Sequence, residues 1–129
     1  MNPTATILVV EDNPDNMKLM AWALEDAGYA FEPAATAEEG LSALAERPFD
    51  LVLMDISLPG MDGKEATRRI RGDARLVGLP VIAVTAHAVT GEREAILASG
   101  VNALVTKPID EERLLAVISD CLAAEVRLA

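Results

Sequence analysis

The sequence predicts an α/β protein built on a doubly wound parallel sheet with helices on both faces. Three observations carry this expectation. Short apolar runs recur along the chain, segments of helical periodicity separate them, and the runs are continuous rather than alternating in hydrophobicity. A strand covered on both faces has no solvent side, so it needs no polar alternate residues. Strand and helix in strict alternation imply crossover connections, which make the strands parallel.

The first run, TILVV at 6–10, leads to Asn13, a residue suited to capping a helix, and to Pro14, suited to its first position. Met17, Met20, Ala21 and Leu24 then follow at helical spacing until Gly28 stops the turn. A less regular run, YAFEPA at 29–34, supplies a second strand, and residues 37–46 a second helix. DLVLM at 50–54 is the third strand, followed by a helix over 63–71. PVIAV at 80–84 and ALVT at 103–106 complete the strands, with helices over 89–98 and 110–123. The helix over 89–98 is the least amphipathic, since Ile96 and Leu97 are its only large apolar pair.

At 129 residues the chain suits one domain, 1–129, with a core over about 6–123. Its 51% apolar content is that of a packed globular protein. Twenty-one acidic against eleven basic residues leave a net charge of -10, which repels phosphate backbones and anionic lipid surfaces. No nucleic acid and no membrane are therefore expected as partners. The basic stretch Arg68, Arg69, Arg71 and Arg75 is expected to be a solvated helix face. Cys121, the sole cysteine, has no internal disulfide partner and falls among Leu114, Leu115, Val117, Ile118 and Leu122, which predicts burial on a helix face. The opening MNPTAT has neither the charged nor the apolar region of a secretory signal, and no apolar run approaches the roughly 20 residues that cross a bilayer. The expectation is a cytoplasmic monomer.

Polar residues gather where the strands end. Glu11 and Asp12 follow the first strand, Asp55 the third, Thr85 the fourth and Lys107 the fifth. Ligand sites in open parallel sheets form outside those carboxyl ends, so residues from four distant segments converge on one crevice. Carboxylates brought together repel: two unit charges about 4 Å apart cost on the order of 4 kcal/mol at an effective dielectric near 20. Such a site needs a cation. Lys107 supplies one, and the oxygen-rich set also suits a hard divalent ion, Mg²⁺ with Mn²⁺ as the alternative. A carboxylate, a hydroxyl, a lysine and Mg²⁺ are the parts needed to handle a phosphoryl group. Taken singly, Asp12 reads as a helix cap, Asp55 as the start of a Pro-Gly turn, Thr85 as an ordinary strand end and Lys107 as a solvated lysine. Their coincidence at matching positions argues against those bland roles.

With these residues in view, the chain resembles the receiver domain of two-component response regulators over about residues 6–123. The motifs are the acidic pair Glu11–Asp12, Asp55 in LMDISLPGMDG, VTA at 84–86 and KP at 107–108. Among receivers it is most similar to the stand-alone, single-domain kind of CheY and DivK, through the stretches VVEDN and NMKL. The resemblance implies a flavodoxin-like (βα)5 fold with strand order 2-1-3-4-5. It implies that Asp55 is the phosphoacceptor, taking a phosphoryl group from a phosphohistidine on a sensor histidine kinase or histidine phosphotransferase. Asp12 and Asp55 would ligate Mg²⁺ directly, Ser57 through its backbone carbonyl and Glu11 through water. Lys107 would pair with Asp55 and then with a phosphoryl oxygen, which the Thr85 hydroxyl and the Ala86 backbone N–H would also bind. Such a protein catalyses its own phosphorylation and dephosphorylation without being a conventional enzyme, and its fourth helix, fifth strand and fifth helix form a surface that switches to regulate a downstream protein.

Three further positions follow from the resemblance. Leu104 stands where many receivers carry an aromatic residue whose rotation accompanies the threonine shift. His87 lies at a position that influences how easily water reaches the phosphoryl group; it is expected to be an ordinary exposed loop residue, with a modulating role as the alternative and not that of a base or metal ligand. The Lys107–Pro108 peptide is expected to be cis. Met1 close to the first strand favours a complete small protein, while a receiver cut from a hybrid histidine kinase would look the same. A Mg²⁺-dependent aspartyl phosphohydrolase is the enzyme alternative, but haloacid-dehalogenase-type enzymes usually need a second aspartate where this chain has Ser57. An interaction module that never turns over phosphate is the third alternative, weighed against by the presence of every acidic and lysine position.

Overall fold

Apolar runs that lack a polar face must be sandwiched, and the chain achieves this with one five-stranded sheet between two layers of helices. The computed structural model describes residues 5–86 and 89–128. In chain order the elements are β1 (Thr6–Val10), α1 (Pro14–Asp26), β2 (Ala30–Ala34), α2 (Ala37–Glu46), β3 (Leu51–Asp55), α3 (Gly63–Arg71), β4 (Val81–Thr85), α4 (Thr90–Ala98), β5 (Ala103–Thr106) and α5 (Glu111–Leu128). The strands are all parallel, in the order β2-β1-β3-β4-β5. This is the doubly wound (βα)5 arrangement that the sequence predicts.

Alternate residues of each strand feed the two layers. Ile7, Val9, Leu51, Leu53, Ile82, Val84 and Val105 pack with Met20, Ala23 and Leu24 of α1 and with Leu114 and Ile118 of α5. Leu8, Val10, Val52, Met54 and Val81 face the other way, onto Ala43 and Leu44 of α2 and Ala66 and Ile70 of α3. Ala83 and Leu104 meet Ile96 of α4 in a small cluster on that same side, completed by Ile56. β2 is an edge strand, which is why it tolerates Pro33 opposite Val9.

Helix starts follow local chemistry. Asn13 caps α1, its side chain accepting from Asp15 N and Asn16 N at 2.9 and 3.0 Å. Thr36 caps α2 by accepting from Glu39 N, while Glu39 reaches back to Ala35 N, a reciprocal cap. Differences from the sequence-based expectation are small but telling. β3 and β4 each extend one residue further, so that Asp55 and Thr85 are paired within the sheet, opposite Val84 and Thr106, instead of following it. α5 runs to Leu128, past the expected 123.

Arg71 is not part of a solvated face. Its Nε donates to Gly100 O at 2.8 Å, Nη1 to Leu79 O at 2.8 Å and Nη2 to Asn102 Oδ1 at 2.7 Å. The same Asn102 oxygen accepts from Val81 N at 2.8 Å, and Asn102 N donates to Val81 O at 2.7 Å. One guanidinium therefore ties the end of α3 to the start of β4 and to the α4–β5 turn. Gly100 permits it: φ is +112°, and a Cβ there would stand 2.7 Å from Arg71 Cγ. Arg68 and Arg69 do stay on the surface, pairing with Glu65 one turn back.

Hydrogen bonds from a charged donor contribute roughly 1.5–3 kcal/mol each, less where water competes. Arg71→Ala is expected to lower unfolding free energy by about 2–4 kcal/mol in urea titrations. Arg71→Lys is expected to recover little of it, because an ammonium lacks the planar fork that serves three acceptors.

Candidate functional site

Parallel strands deliver their last residues to one rim. Chain connections leave β1 toward β2 on one side and β3 toward β4 on the other, so a crevice opens above β1 and β3. Glu11 continues β1, its N–H bonded to Ala34 O at 3.0 Å. Asp55 is the last residue of β3 and Thr85 the last of β4. Lys107 comes in after β5, its N–H donating to Thr85 O at 2.8 Å. The following Lys107–Pro108 peptide is cis.

Asp55 is 2% exposed, Glu11 2% and Thr85 fully buried. Lys107 Nζ stands between the two carboxylates, 3.3 Å from Glu11 Oε1 and 3.3 Å from Asp55 Oδ1. Asp55 Oδ1 also accepts from Ser57 N at 3.1 Å, and Glu11 Oε2 from Asn13 N at 3.1 Å. Asp12 is exposed at the lip. Because Asn13 does the capping of α1, the Asp12 carboxylate has no part in that cap. Ser57 and Ala86 are exposed at the same rim. Expected positions from four segments thus meet in one place; His87 lies outside the described residues.

Glu11, Asp12 and Asp55 each offer a carboxylate oxygen, and these atoms lie within 4.8 Å of one another. Buried Glu11 Oε1 accepts no hydrogen bond among the described residues. Three hard oxygen donors of net negative charge, one of them without a hydrogen bond, fit a divalent cation of the Mg²⁺ kind. Burial pushes the Glu11 carboxyl up to about 7, and a hydrogen bond with Asp55 and repulsion by its carboxylate add to the rise; the Asn13 N–H and the Lys107 ammonium pull the other way.

The loop that follows Asp55 is set by a close backbone approach. Gly63 opens α3, and a Cβ there would stand 2.3 Å from Asp55 O and 2.8 Å from Ile56 Cα. Gly63 N donates to Ile56 O at 3.1 Å, which closes the loop onto the strand, and Asp62 caps α3 by accepting from Glu65 N at 2.9 Å. The residues alone predict neither this approach nor the Arg71 hub. The signal for the first was a glycine at the start of a helix, where an Asp cap already sufficed.

At the other expected position, Leu104 is 8% exposed and packs against Ile56, Ala83 and Ile96 beneath α4. Cys121 is only half-buried; burial, with the nearby Asp120 carboxylate, pushes its thiol up. No helix among the described residues is long and apolar enough to cross a membrane.

A fold of this order with an acidic crevice and an inward lysine defines a class. The chain belongs to the response regulator receiver domain family, whose model matches residues 7–119. It is 41% identical over 115 residues to the sensor histidine kinase GacS of Pseudomonas protegens, a match covering 87% of this chain and 12% of that protein. It is 40% identical over 119 residues to the polar-differentiation response regulator DivK of Brucella ovis, covering 92% of this chain and 97% of DivK. Among solved structures, the receiver domain of the sensor histidine kinase PA1611 from Pseudomonas aeruginosa, with a magnesium ion coordinated in its active site cleft, superposes with a TM-score of 0.87 at 33% identity, over 93% of this chain and 98% of that one. Both the order of the strands and the acidic pocket are thus those of CheY-like receivers, in keeping with two-component signalling.

Glu11 titrates near 4.5 when unfolded and at about 7 when folded. Between those values the folded chain keeps a proton that the unfolded chain releases, so stability falls as pH rises through that window and is unaffected by Glu11 below it. In EDTA, urea midpoints measured from pH 4.5 to 7.5 are expected to decline by the equivalent of about 1–3 kcal/mol more in the parent than in Glu11→Gln. Gly63→Ala is expected to destabilise by at least the roughly 1–3 kcal/mol typical of overpacking, since backbone and not a side chain tip blocks the methyl; thermal unfolding checks it.

Proposed function

We propose that the protein accepts a phosphoryl group on Asp55 from a phosphohistidine of a sensor histidine kinase or histidine phosphotransferase, and regulates a protein partner in response. The observation that carries this is the Lys107 ammonium at 3.3 Å from the Asp55 carboxylate at the mouth of an acidic crevice. An ionised carboxylate needs no general base to attack. As the O–P bond to Asp55 forms, the P–N bond of the donor breaks and its electron pair returns to the imidazole. What the protein supplies is position and charge neutralisation. Ser57 N holds Asp55 Oδ1, leaving the other oxygen to face the incoming phosphorus. Lys107 would then pair with a phosphoryl oxygen as a compact point charge, joined by the Thr85 hydroxyl and the Ala86 backbone N–H.

Glu11 through water, Asp12 and Asp55 directly, and the Ser57 backbone carbonyl would hold Mg²⁺, or Mn²⁺ in its place. When bound, the ion offsets charge on the transferring group. His87 is assigned a modulating role in loss of the phosphoryl group. The α4–β5–α5 surface is the proposed output. α4 is lightly held: Ile96 is its one fully buried apolar side chain among those described, Val89 provides no side-chain cap, and the Lys64–Glu92 pair at 3.5 Å links it to α3. Movement of Thr85 toward the phosphoryl group, with Leu104 standing where many receivers carry an aromatic ring, would bias the packing of that helix. We place the working protein in the cytoplasm as a monomer.

The chain spans 12% of GacS, and that match favours a second setting for the same chemistry, as the receiver of a hybrid histidine kinase. A reading frame continuous with a kinase core would establish it.

Acetyl phosphate with Mg²⁺ is expected to add one phosphoryl group to the chain, seen by intact-mass spectrometry, with EDTA suppressing it. Asp55→Asn is expected to show none. Equal labelling of the two proteins would remove Asp55 as the acceptor.

A further inference from the structure

A groove of about 1030 Å³ lies at the amino ends of β4 and β5, on the opposite rim of the sheet from Asp55. One strand length, roughly 15 Å, separates it from the acidic crevice. Its walls are apolar and come from both helical layers: Leu44, Phe49, Leu76 and Leu79 from the α2–α3 side, Ala103 and Val117 from the α5 side. Charges on its rim cancel, Glu46 and Asp120 against Arg47 and Arg75. Both arginines already hold carboxylates, Arg47 those of Glu32 and Glu46 and Arg75 that of Asp73. A different polar group stands ready in the wall. Asn102 Oδ1 accepts from Arg71 Nη2 at 2.7 Å and from Val81 N at 2.8 Å. Two donors on that side fix which way the amide lies, since a nitrogen there would meet them N–H to N–H. Its Nδ2 therefore points away from both, and donates to nothing among the described residues. The wall around it is held without any occupant: Arg71 Nη1 donates to Val77 O at 3.2 Å and to Leu79 O at 2.8 Å, and Asn102 N to Val81 O at 2.7 Å.

We propose that this groove binds an uncharged small molecule with an apolar body and one carbonyl oxygen, the body against Phe49, Leu76 and Val117 and the oxygen accepting from Asn102 Nδ2. Small-molecule sites are concave, mostly apolar, largely preformed and oriented by a few fixed polar groups, with volumes of roughly 300–1,000 Å³, and the groove has each of these properties. An amide nitrogen donates only, so the ligand atom that meets it is an acceptor. Neutrality follows from the rim: a carboxylate would face Glu46 and Asp120 and compete with ion pairs the arginines already make, and a cation would face the arginines. Fixing the amide before the ligand arrives removes part of the ordering cost of binding. The site is independent of the phosphoryl chemistry proposed for the other rim.

The test titrates the ¹⁵N-labelled full chain with a panel of neutral aromatic carboxamides, naphthalene-2-carboxamide and its N-benzyl derivatives, and with 2-naphthoate and 2-naphthylmethylammonium as charged counterparts. Carboxamides are expected to shift the amides of residues 76–79, 102, 103, 117 and 121 together with the Asn102 side-chain N–H pair. Asn102→Asp keeps an oxygen toward Arg71 and Val81 but loses the donors, and is expected to weaken binding about tenfold, the equivalent of one hydrogen bond. A second measurement does not depend on that variant folding: Cys121, the sole cysteine, lines the groove, and a bound carboxamide is expected to slow its alkylation by iodoacetamide several-fold. Shifts confined to other residues, no shift from any member of the panel, unslowed alkylation of Cys121, or equal binding by Asn102→Asp would overturn the site. Equal or tighter binding of either charged counterpart would overturn the assignment of an uncharged ligand. A dimer in sedimentation that the carboxamides dissociate would overturn it in favour of a second copy of the chain.

Discussion

Two carboxylates buried side by side are unstable unless something positive stands between them, and the Lys107 ammonium does so at 3.3 Å from each. Much of the architecture serves that arrangement. The acidic residues are brought together by strands from opposite sides of the point where the sheet changes direction. The lysine arrives on a third strand, registered through its own N–H to Thr85 O. One ammonium faces three carboxylates there, and burial first, then the neighbouring Asp55, push the Glu11 carboxyl up. The crevice is thus held with an electrostatic deficit that protonation or a further cation relieves, and under the proposed function the incoming donor and its metal enter a site already short of positive charge.

The two ends of the sheet divide the work. At the carboxyl ends, charge is concentrated and helices begin with their backbone close to the strand, as Gly63 does over Asp55. At the amino ends, Arg71 and Asn102 bind loops together with backbone hydrogen bonds. Between them, α4 is lightly attached: among the described residues it has a single deeply buried isoleucine and one ion pair to α3. A helix so attached costs less to shift than one anchored as α1 is by Met20, Ala23 and Leu24.

The alternation of strand and helix was legible because a short, continuous apolar run has to be covered on both faces, and all five expected strands and all five helices form. Convergence of Glu11, Asp12, Asp55, Thr85 and Lys107 was legible for a related reason: parallel strands bring their ends to one side. Placement of Asp55 and Thr85 inside the strands was not, because a carboxylate normally reads as the end of an apolar element, and the Lys107 ammonium with the Ser57 N–H makes its burial tolerable. Arg71 escapes the sequence in a similar way. An arginine beside two others on a polar helix looks solvated until the loops that meet it are known. The raised Glu11 carboxyl depends on depth of burial, which spacing along a chain does not encode.

Pro33 sits in the middle of β2, an outer strand of the sheet, beside the half-buried Glu32 and its ion pair with Arg47. An unpaired strand edge is a template on which another chain can continue the ladder, and a proline removes one of the donors that such an addition needs. The charged pair beside it must also be stripped of water before a second strand could approach. Sheet growth from this side is thereby blocked, leaving the acidic chain able to meet other proteins by its helices without the risk of polymerising through this edge.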